Sequence, residues 1–417
     1  MRLGCAVLLT LGAGTACGGG TPGAHGATGG AAVVRVPQDV RTVQAAVDRV
    51  RPGGLVLVSP GVYRESVTVA KPRVVLRGTD RTKVVVDGEF ERANGITVTG
   101  AGSVVENLTV RNNLANGVLF TGVTDKNLQG AGRAGGSAYD PLDTVKFPPL
   151  HGFRASYITA YNNALYGIYA FDARSGVIER SYASGQADSG IYVGQCRPCA
   201  TVVRDNVTEH NAVGIELTNA SERLWVVGNR VTRNRVGLTV NSNDLEALGP
   251  QHDAVVAGNA ITDNNDDRGP EQADGGFGIG IGAGGARDNL FTRNLVSGNR
   301  AAGVVVTDVQ GYPASGNSVR GNRISGNGAD AVLSVSAVRG NRFAGNGGSA
   351  GAVQPRVRAV AQPPGVSFQE VSPPAAQVGM PGDVAGPGRG AVGLPGPVDL
   401  EGYPLPSSAG AVPRGRR

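Results

Sequence analysis

Two stretches lie over one another residue by residue: Asn206-Val207-Thr208-Glu209-His210-Asn211-Ala212-Val213-Gly214-Ile215-Glu216-Leu217-Thr218, and Asn229-Arg230-Val231-Thr232-Arg233-Asn234-Arg235-Val236-Gly237-Leu238-Thr239, 23 positions further on. In each, two asparagines stand five apart around an apolar anchor. A glycine follows, and then a short run in which apolar and polar residues alternate, the pattern of a strand with one buried face. Working outward, the unit recurs with polar pairs at Asn107/Asn112, Tyr157/Asn162, Ser181/Gln186, Asn259/Asn264, Asn294/Asn299, Asn322/Asn327 and Asn341/Asn346. The anchors are Leu108, Ile158, Tyr182, Val207, Val231, Ile261, Val296, Ile324 and Phe343, and the glycines Gly117, Gly167, Gly190, Gly214, Gly237, Gly278 and Gly303, with Ala331 in the last full copy.

Anchors from Ile158 to Val231 are 24, 25 and 24 residues apart. A period in the low twenties with short apolar strands and polar turns points to a solenoid. Stacked coils bring like residues about 4.8 Å apart, so asparagines in equivalent turns can form hydrogen-bonded ladders, an amide being both donor and acceptor. Glycine fits where a turn needs positive φ or where coils approach closely. Composition agrees. Glycine supplies 66 of 417 residues and aromatics only 5%, so the core is aliphatic and long helices are disfavoured. There is no strict Gly-X-Y period, which excludes collagen.

These repeats resemble the right-handed parallel β-helix of the pectin-lyase-like superfamily, over residues 33–347. The expected fold is therefore all-β, a single-stranded right-handed parallel β-helix. The opening of the region supports it. Residues 39–51 (DVRTVQAAVDRVR) place Val40, Val43, Val47 and Val50 on one face, suiting a helix that caps the open end of the solenoid. Pro52-Gly53-Gly54, the strand 55–58 and Pro60-Gly61-Val62-Tyr63-Arg64-Glu65 follow, similar to the entry of many bacterial β-helix proteins. Pectin methylesterases share Gly61, Tyr63 and Glu65, but their catalytic segments are missing. The polygalacturonase and pectate lyase motifs are absent as well.

The ends read differently. Residues 1–17 resemble a signal peptide with a bacterial lipobox, Gly14-Thr15-Ala16-Cys17, which makes Cys17 the expected lipidation site; free secretion is the alternative. Residues 18–32 form a Gly-rich tether. Twelve of the 24 prolines follow residue 350, so residues 348–417 are expected to be a disordered or extended Pro/Gly-rich tail. The implied setting is the cell surface, with the membrane reached only through the lipid and the chain a monomer. Net charge is +6, of which the tail and Arg2 supply about half. Without a Lys/Arg run, nucleic acid is not an expected partner.

Seven of the ten tyrosines fall between residues 139 and 192. On the strand after each glycine the second residue should face outward, giving a row Tyr169, Tyr192, Glu216 and Thr239. Three positions on come Asp172, Gln195, Asn219 and Ser242. Such a stripe suits stacking of sugar rings and bonding of hydroxyls, and a polysaccharide is the expected partner; packing of the tyrosines beneath the insertion 121–150 is the alternative. The nearest ionisable groups are His151, Arg154, Tyr161, Asp172, Asp188 and His210. β-Elimination or epimerisation of an acidic sugar would use a cation and a base, with His151, Arg154, Tyr161 and Asp172 as candidates. A hydrolase would need two or three converging carboxyls, and a non-catalytic scaffold or adhesin would need neither. In an exported protein Cys196-Arg197-Pro198-Cys199 reads as a disulfide. The oxygen-rich run 263–274 spaces Asp263, Asn265, Asp267 and Asp274 as calcium ligands are spaced, against the plainer reading of a solvated acidic loop.

Overall fold

The structure is a computed structural model, described here for residues 30–129, 143–272, 275–348, 353–374 and 396–407. Its strands form two sheets, one of twenty strands and one of ten. Every strand pairing is parallel and joins neighbouring coils. A typical coil contributes Leu224–Val227 and Arg230–Thr232 to the larger sheet, which bends at Asn229, and Val236–Asn241 to the smaller.

Tight corners make that bend. Asp205, His210, Arg233, Asp263 and Arg293 all take positive φ, which costs an ordinary side chain about 1–2 kcal/mol. The ladders offset the cost. Ser181, Asn206, Asn229, Asn259, Asn294, Asn322 and Asn346 form one continuous stack. Asn113, Asn163, Gln186, Asn211, Asn234, Asn264, Asn299 and Asn327 form a second. In the asparagine-to-asparagine rungs, as at Asn229, the backbone N and the side-chain Nδ2 both donate to the next Oδ1, there at 2.8 and 2.9 Å. Buried amides are thereby satisfied from rung to rung, up to Asn113, whose Oδ1 at the end of the second stack has no partner among the described residues.

The ladders correct the alignment at both ends. Asn112 and Asn162 are the positive-φ residues just before the true rungs, Asn113 and Asn163. Asn341 belongs to a third stack with Gln251, Asn289 and Asn317, whereas Asn346 continues the first. Because asparagine also tolerates left-handed backbone, both positions attract it. The anchors shift similarly. Ala183 and Thr208 lie in register with Val231 and face the core, while Tyr182 and Val207 point outward. Phe343 stacks on Val319, not on Ile324.

The repeated glycines are places of close approach, and Gly280 takes the place expected for Gly278. A Cβ on Gly214 would lie 2.7 Å from the carbonyl oxygen of Gly237, and one on Gly280 2.7 Å from that of Gly303. Inside, valine, leucine and isoleucine fill the coils, with Phe120 stacked on Phe153 at 4.9 Å. The capping helix is shorter than expected, Val43–Arg49, and buries Val43, Ala46 and Val47. Glu65 accepts hydrogen bonds from the amides of Val43 and Gln44, both at 2.9 Å, placing a carboxylate at the helix N-terminus.

The tail departs from the expectation of disorder over its described segments. Gln354 pairs with the strand Ala331–Ser334. Asn162 Nδ2 donates to the Val371 carbonyl at 2.8 Å, and Phe368 meets Phe90 edge-on at 5.8 Å. Further on, Val398, Leu400 and Tyr403 cover an outward patch of Val202, Trp225, Val227, Val255 and Ala257. The tail cannot build a core, yet a few apolar side chains suffice when the solenoid supplies the other half of the contact. A chain ending at residue 352 is expected to melt roughly 5 °C lower, with the emission of Trp225, the single tryptophan, shifted to the red. An unchanged spectrum and midpoint would contradict the strap.

Candidate functional site

On the outer face of the ten-stranded sheet, Tyr169, Tyr192, Glu216 and Thr239 stand in one row, in register across four successive strands. The row is as the sequence arranged it, but its environment is not. A loop of residues 243–250 folds back over the sheet, and the Tyr192 hydroxyl donates to Glu246. Tyr192 is buried under Tyr166 and Tyr169, with ring centroids at 4.7 and 5.1 Å. Tyr169 and Glu216 remain partly open.

The second row is in register too, and it works from below. Gln195 and Asn219 are fully buried. Gln195 Oε1 accepts from the amide of Ala247 at 3.1 Å, while Asn219 Nδ2 donates to the carbonyls of Asn243 and Glu246 at 2.7 and 2.9 Å. Both therefore hold the loop in place and do not present their amides to solvent. Asp172, also fully buried, has neither carboxylate oxygen hydrogen-bonded, and burial pushes it up to about 7.

Carboxyls gather around the tyrosines. Glu216 accepts from Ser189 Oγ at 2.5 Å and from Thr218 Oγ1 at 3.1 Å. The same Ser189 hydroxyl lies 3.1 Å from Asp188, to which Gln272 also donates at 2.7 Å. One hydroxyl carries one proton, so satisfying both carboxyls requires a proton on one of them. Burial, reinforced by the charge of Asp188, pushes both Glu216 and Glu246 up to about 8. Burial also pushes Tyr166 and Tyr192 well above the usual phenol range. At neutral pH the site thus holds protonated carboxylic acids beside Asp188. Glu246 Oε2 and Thr239 Oγ1 make no hydrogen bond among the described residues.

Chain excursions flank the face on both sides. Val123, Leu128 and Phe147, from the described ends of the insertion 121–150, pack on Phe171, whose ring lies 5.5 Å from that of Tyr169. Opposite them stands the segment carrying Gln272, held to the tail through Glu271 and Gly269.

The four proposed catalytic residues do not come together. His151 is exposed and 3.4 Å from Ser175, Arg154 pairs with Glu179 at 3.2 Å, and Tyr161 accepts from Arg111 at 2.7 Å, all on the strand Leu150–Tyr161 of the larger sheet. His210 pairs with Asp266 at 2.8 Å at a coil corner. Of the calcium-loop residues, Asn265 donates to the Gly298 carbonyl and accepts from the Arg300 amide, both at 2.6 Å, while Asp263 and Asp267 are exposed. Asp274 and the lipidation candidate Cys17 lie outside the described residues. Among the described residues no three His, Cys, Asp or Glu side chains are placed to share a metal ion. Cys196 and Cys199 are joined by a disulfide and fully buried. Glu246 was missed at the sequence level: it sits in an excursion that breaks the period.

Residues 94–248 match the family model described as the right-handed β-helix region. The chain folds as a right-handed parallel β-helix. No curated protein matches the sequence. Similar solved structures include the A-module of an Azotobacter vinelandii mannuronan C-5 epimerase, at 14% identity over 78% of this chain and 94% of that one, TM-score 0.44. A periplasmic alginate epimerase matches at 14% over 76% and 84%, TM-score 0.43. A pectate lyase matches at 16% over 74% and 75%, TM-score 0.36.

Proposed function

We propose that this solenoid binds a polysaccharide along the outer face of the ten-stranded sheet and hydrolyses it there, with Glu216 and Glu246 as the proton-carrying carboxyls. The observation that carries the reading is one Ser189 hydroxyl shared by Glu216 and Asp188, at 2.5 and 3.1 Å, on a tyrosine-lined face where burial pushes Glu216 and Glu246 up to about 8. Glycoside hydrolysis needs one acid to protonate the leaving oxygen and one carboxylate to activate water or attack. β-Elimination or epimerisation needs a cation to neutralise a uronate. Among the described residues no Arg or Lys pairs with Glu216 or Glu246, and Arg154 and Arg111 are paired elsewhere. On this reading the unit bound over Glu216 is an uncharged sugar. Export with a lipid on Cys17 belongs to the same proposal, and processing that is insensitive to Cys17→Ser would remove it.

Incubation with a panel of neutral and uronate polysaccharides should release reducing ends from a neutral polymer without unsaturated product. Glu216→Gln should abolish release and preserve binding. Unsaturated product from a uronate polymer, or no binding across the panel, would overturn the proposal.

A further inference from the structure

The charge balance of the whole chain conceals where its cations lie once the coils are stacked. Between residues 300 and 358 stand Arg300, Arg320, Arg323, Arg339, Arg342, Arg356 and Arg358, against Asp308 and Asp330 as the only acids and with no lysine. All seven arginines are exposed. Arg339 pairs with Asp308 at 3.3 Å. The other six guanidinium groups make no ion pair or hydrogen bond among the described residues. Earlier coils carry paired arginines as well: Arg77 pairs with Glu106, Arg111 with Asp87, Arg204 with Glu179 and Arg233 with Glu209.

Register gathers these groups on successive rungs. Val319 and Ile324 face the core, so Arg320 and Arg323 project outward from either side of the bend at Asn322. Arg342 stands one rung on, in register with Ser318, and Arg320 is flanked in register by Thr292 and Ala344. Arg300 leaves the corner after Asn299, one rung before. The outward neighbours are small and neutral, so the fold itself does not call for arginine at these sites. Rungs about 4.8 Å apart leave Arg320 and Arg342, one rung and two residues apart, at about one Debye length of about 8 Å. Their potentials add, and nothing in the described surface neutralises them.

We propose that the last three coils form a docking surface for a polyanionic polysaccharide, separate from the groove on the ten-stranded sheet. A polymer bearing one carboxylate per sugar meets cations spread over successive coils, and Arg can bind carboxylate with two parallel hydrogen bonds. Single-stranded nucleic acid is the poorer fit, since its binding sites combine cations with aromatic platforms. Here Phe343 turns toward the core and no exposed aromatic side chain stands beside the arginines among the described residues. One face of the solenoid would thus hold an acidic matrix while another works on an uncharged glycan.

The test measures binding of the full chain to polygalacturonate across a salt series, with uncharged dextran as control. Polygalacturonate should bind with an affinity that falls steeply with salt, and dextran should not reach this surface. Replacing the three central groups together, Arg320→Ser, Arg323→Ser and Arg342→Ser, should weaken binding at least about tenfold and flatten the salt slope. The melting midpoint should not move. The corresponding three lysine substitutions should retain most of the affinity. Glu216→Gln should leave polygalacturonate binding unaltered, so failure of the groove reading and failure of this one are separable. Equal binding by the triple serine variant, or tighter binding to single-stranded DNA than to polygalacturonate, would overturn the proposal.

Discussion

Gly280→Ala is expected to destabilise the solenoid by about 3 kcal/mol, far more than the same change at Gly326. The added Cβ would lie 2.7 Å from the Gly303 carbonyl oxygen, 2.7 Å from Asn299 Nδ2 and 2.8 Å from Val296 Cγ1. All three atoms belong to the next coil, and neither the carbonyl nor the ladder amide can move away without losing a hydrogen bond. Room for a methyl group therefore requires adjacent coils to part, which strains the ladder on both sides. At Gly326 nothing lies within 4 Å, but φ is +71°, so alanine there costs only the left-handed backbone penalty of about 1 kcal/mol. Nearest-neighbour stability in a repeat protein makes the first change spread along the stack. Thermal melts of the two variants check it, and equal midpoints would show that close approach is not why glycine stands in that row.

That row also shows what the sequence could and could not say. The period of the anchors between Ile158 and Val231 is a direct consequence of coil length, so the solenoid and the outward row of Tyr169, Tyr192, Glu216 and Thr239 were legible. A pattern search finds which residues recur, but not which of two adjacent recurring positions points inward. Asn112 therefore reads as the rung that Asn113 occupies, and Gly278 as the position of Gly280. The site itself failed differently. Glu246 reaches Tyr192 from 54 residues away in sequence, out of a loop with no counterpart in neighbouring coils. Segments that obey no period carry no periodic signal, and the same holds for the tail, whose Val398, Leu400 and Tyr403 find apolar partners only on the folded surface. The arginines after residue 300 were visible one by one, but their concentration on adjacent rungs is a property of the stack.

Glu246→Gln is expected to melt lower than, or level with, the unmodified chain at pH 5 and clearly higher at pH 9. The sign follows from linkage. In the folded chain Glu246 and Glu216 titrate at about 8, raised from the ordinary 4.5 chiefly by burial and then by neighbouring carboxyls. Between those two values the folded state holds protons that the unfolded state has released, so stability falls as pH rises through the window. Below about pH 4.5 the contribution is fully present, and above about pH 8 it is gone. One pKa unit corresponds to about 1.4 kcal/mol; with solvent reaching the half-open face, each group is expected to cost about 2 kcal/mol at pH 9. Asp172 and Asp205, raised by burial to about 7 and about 6, add to the decline in the same direction. The comparison with Glu246→Gln isolates one group from that sum. Glutamine keeps an acceptor for the Tyr192 hydroxyl but has no proton to lose, so it removes the high-pH penalty and leaves the loop in place. The midpoint difference at pH 9 should be roughly 4–8 °C. Hydrolysis by the unmodified chain should fade over the same interval, as the acid that protonates the leaving oxygen ionises. A flat midpoint from pH 6 to 9, or a glutamine variant weaker than the unmodified chain at pH 9, would mean that Glu246 is already ionised beside Tyr192 and that the groove stores no proton.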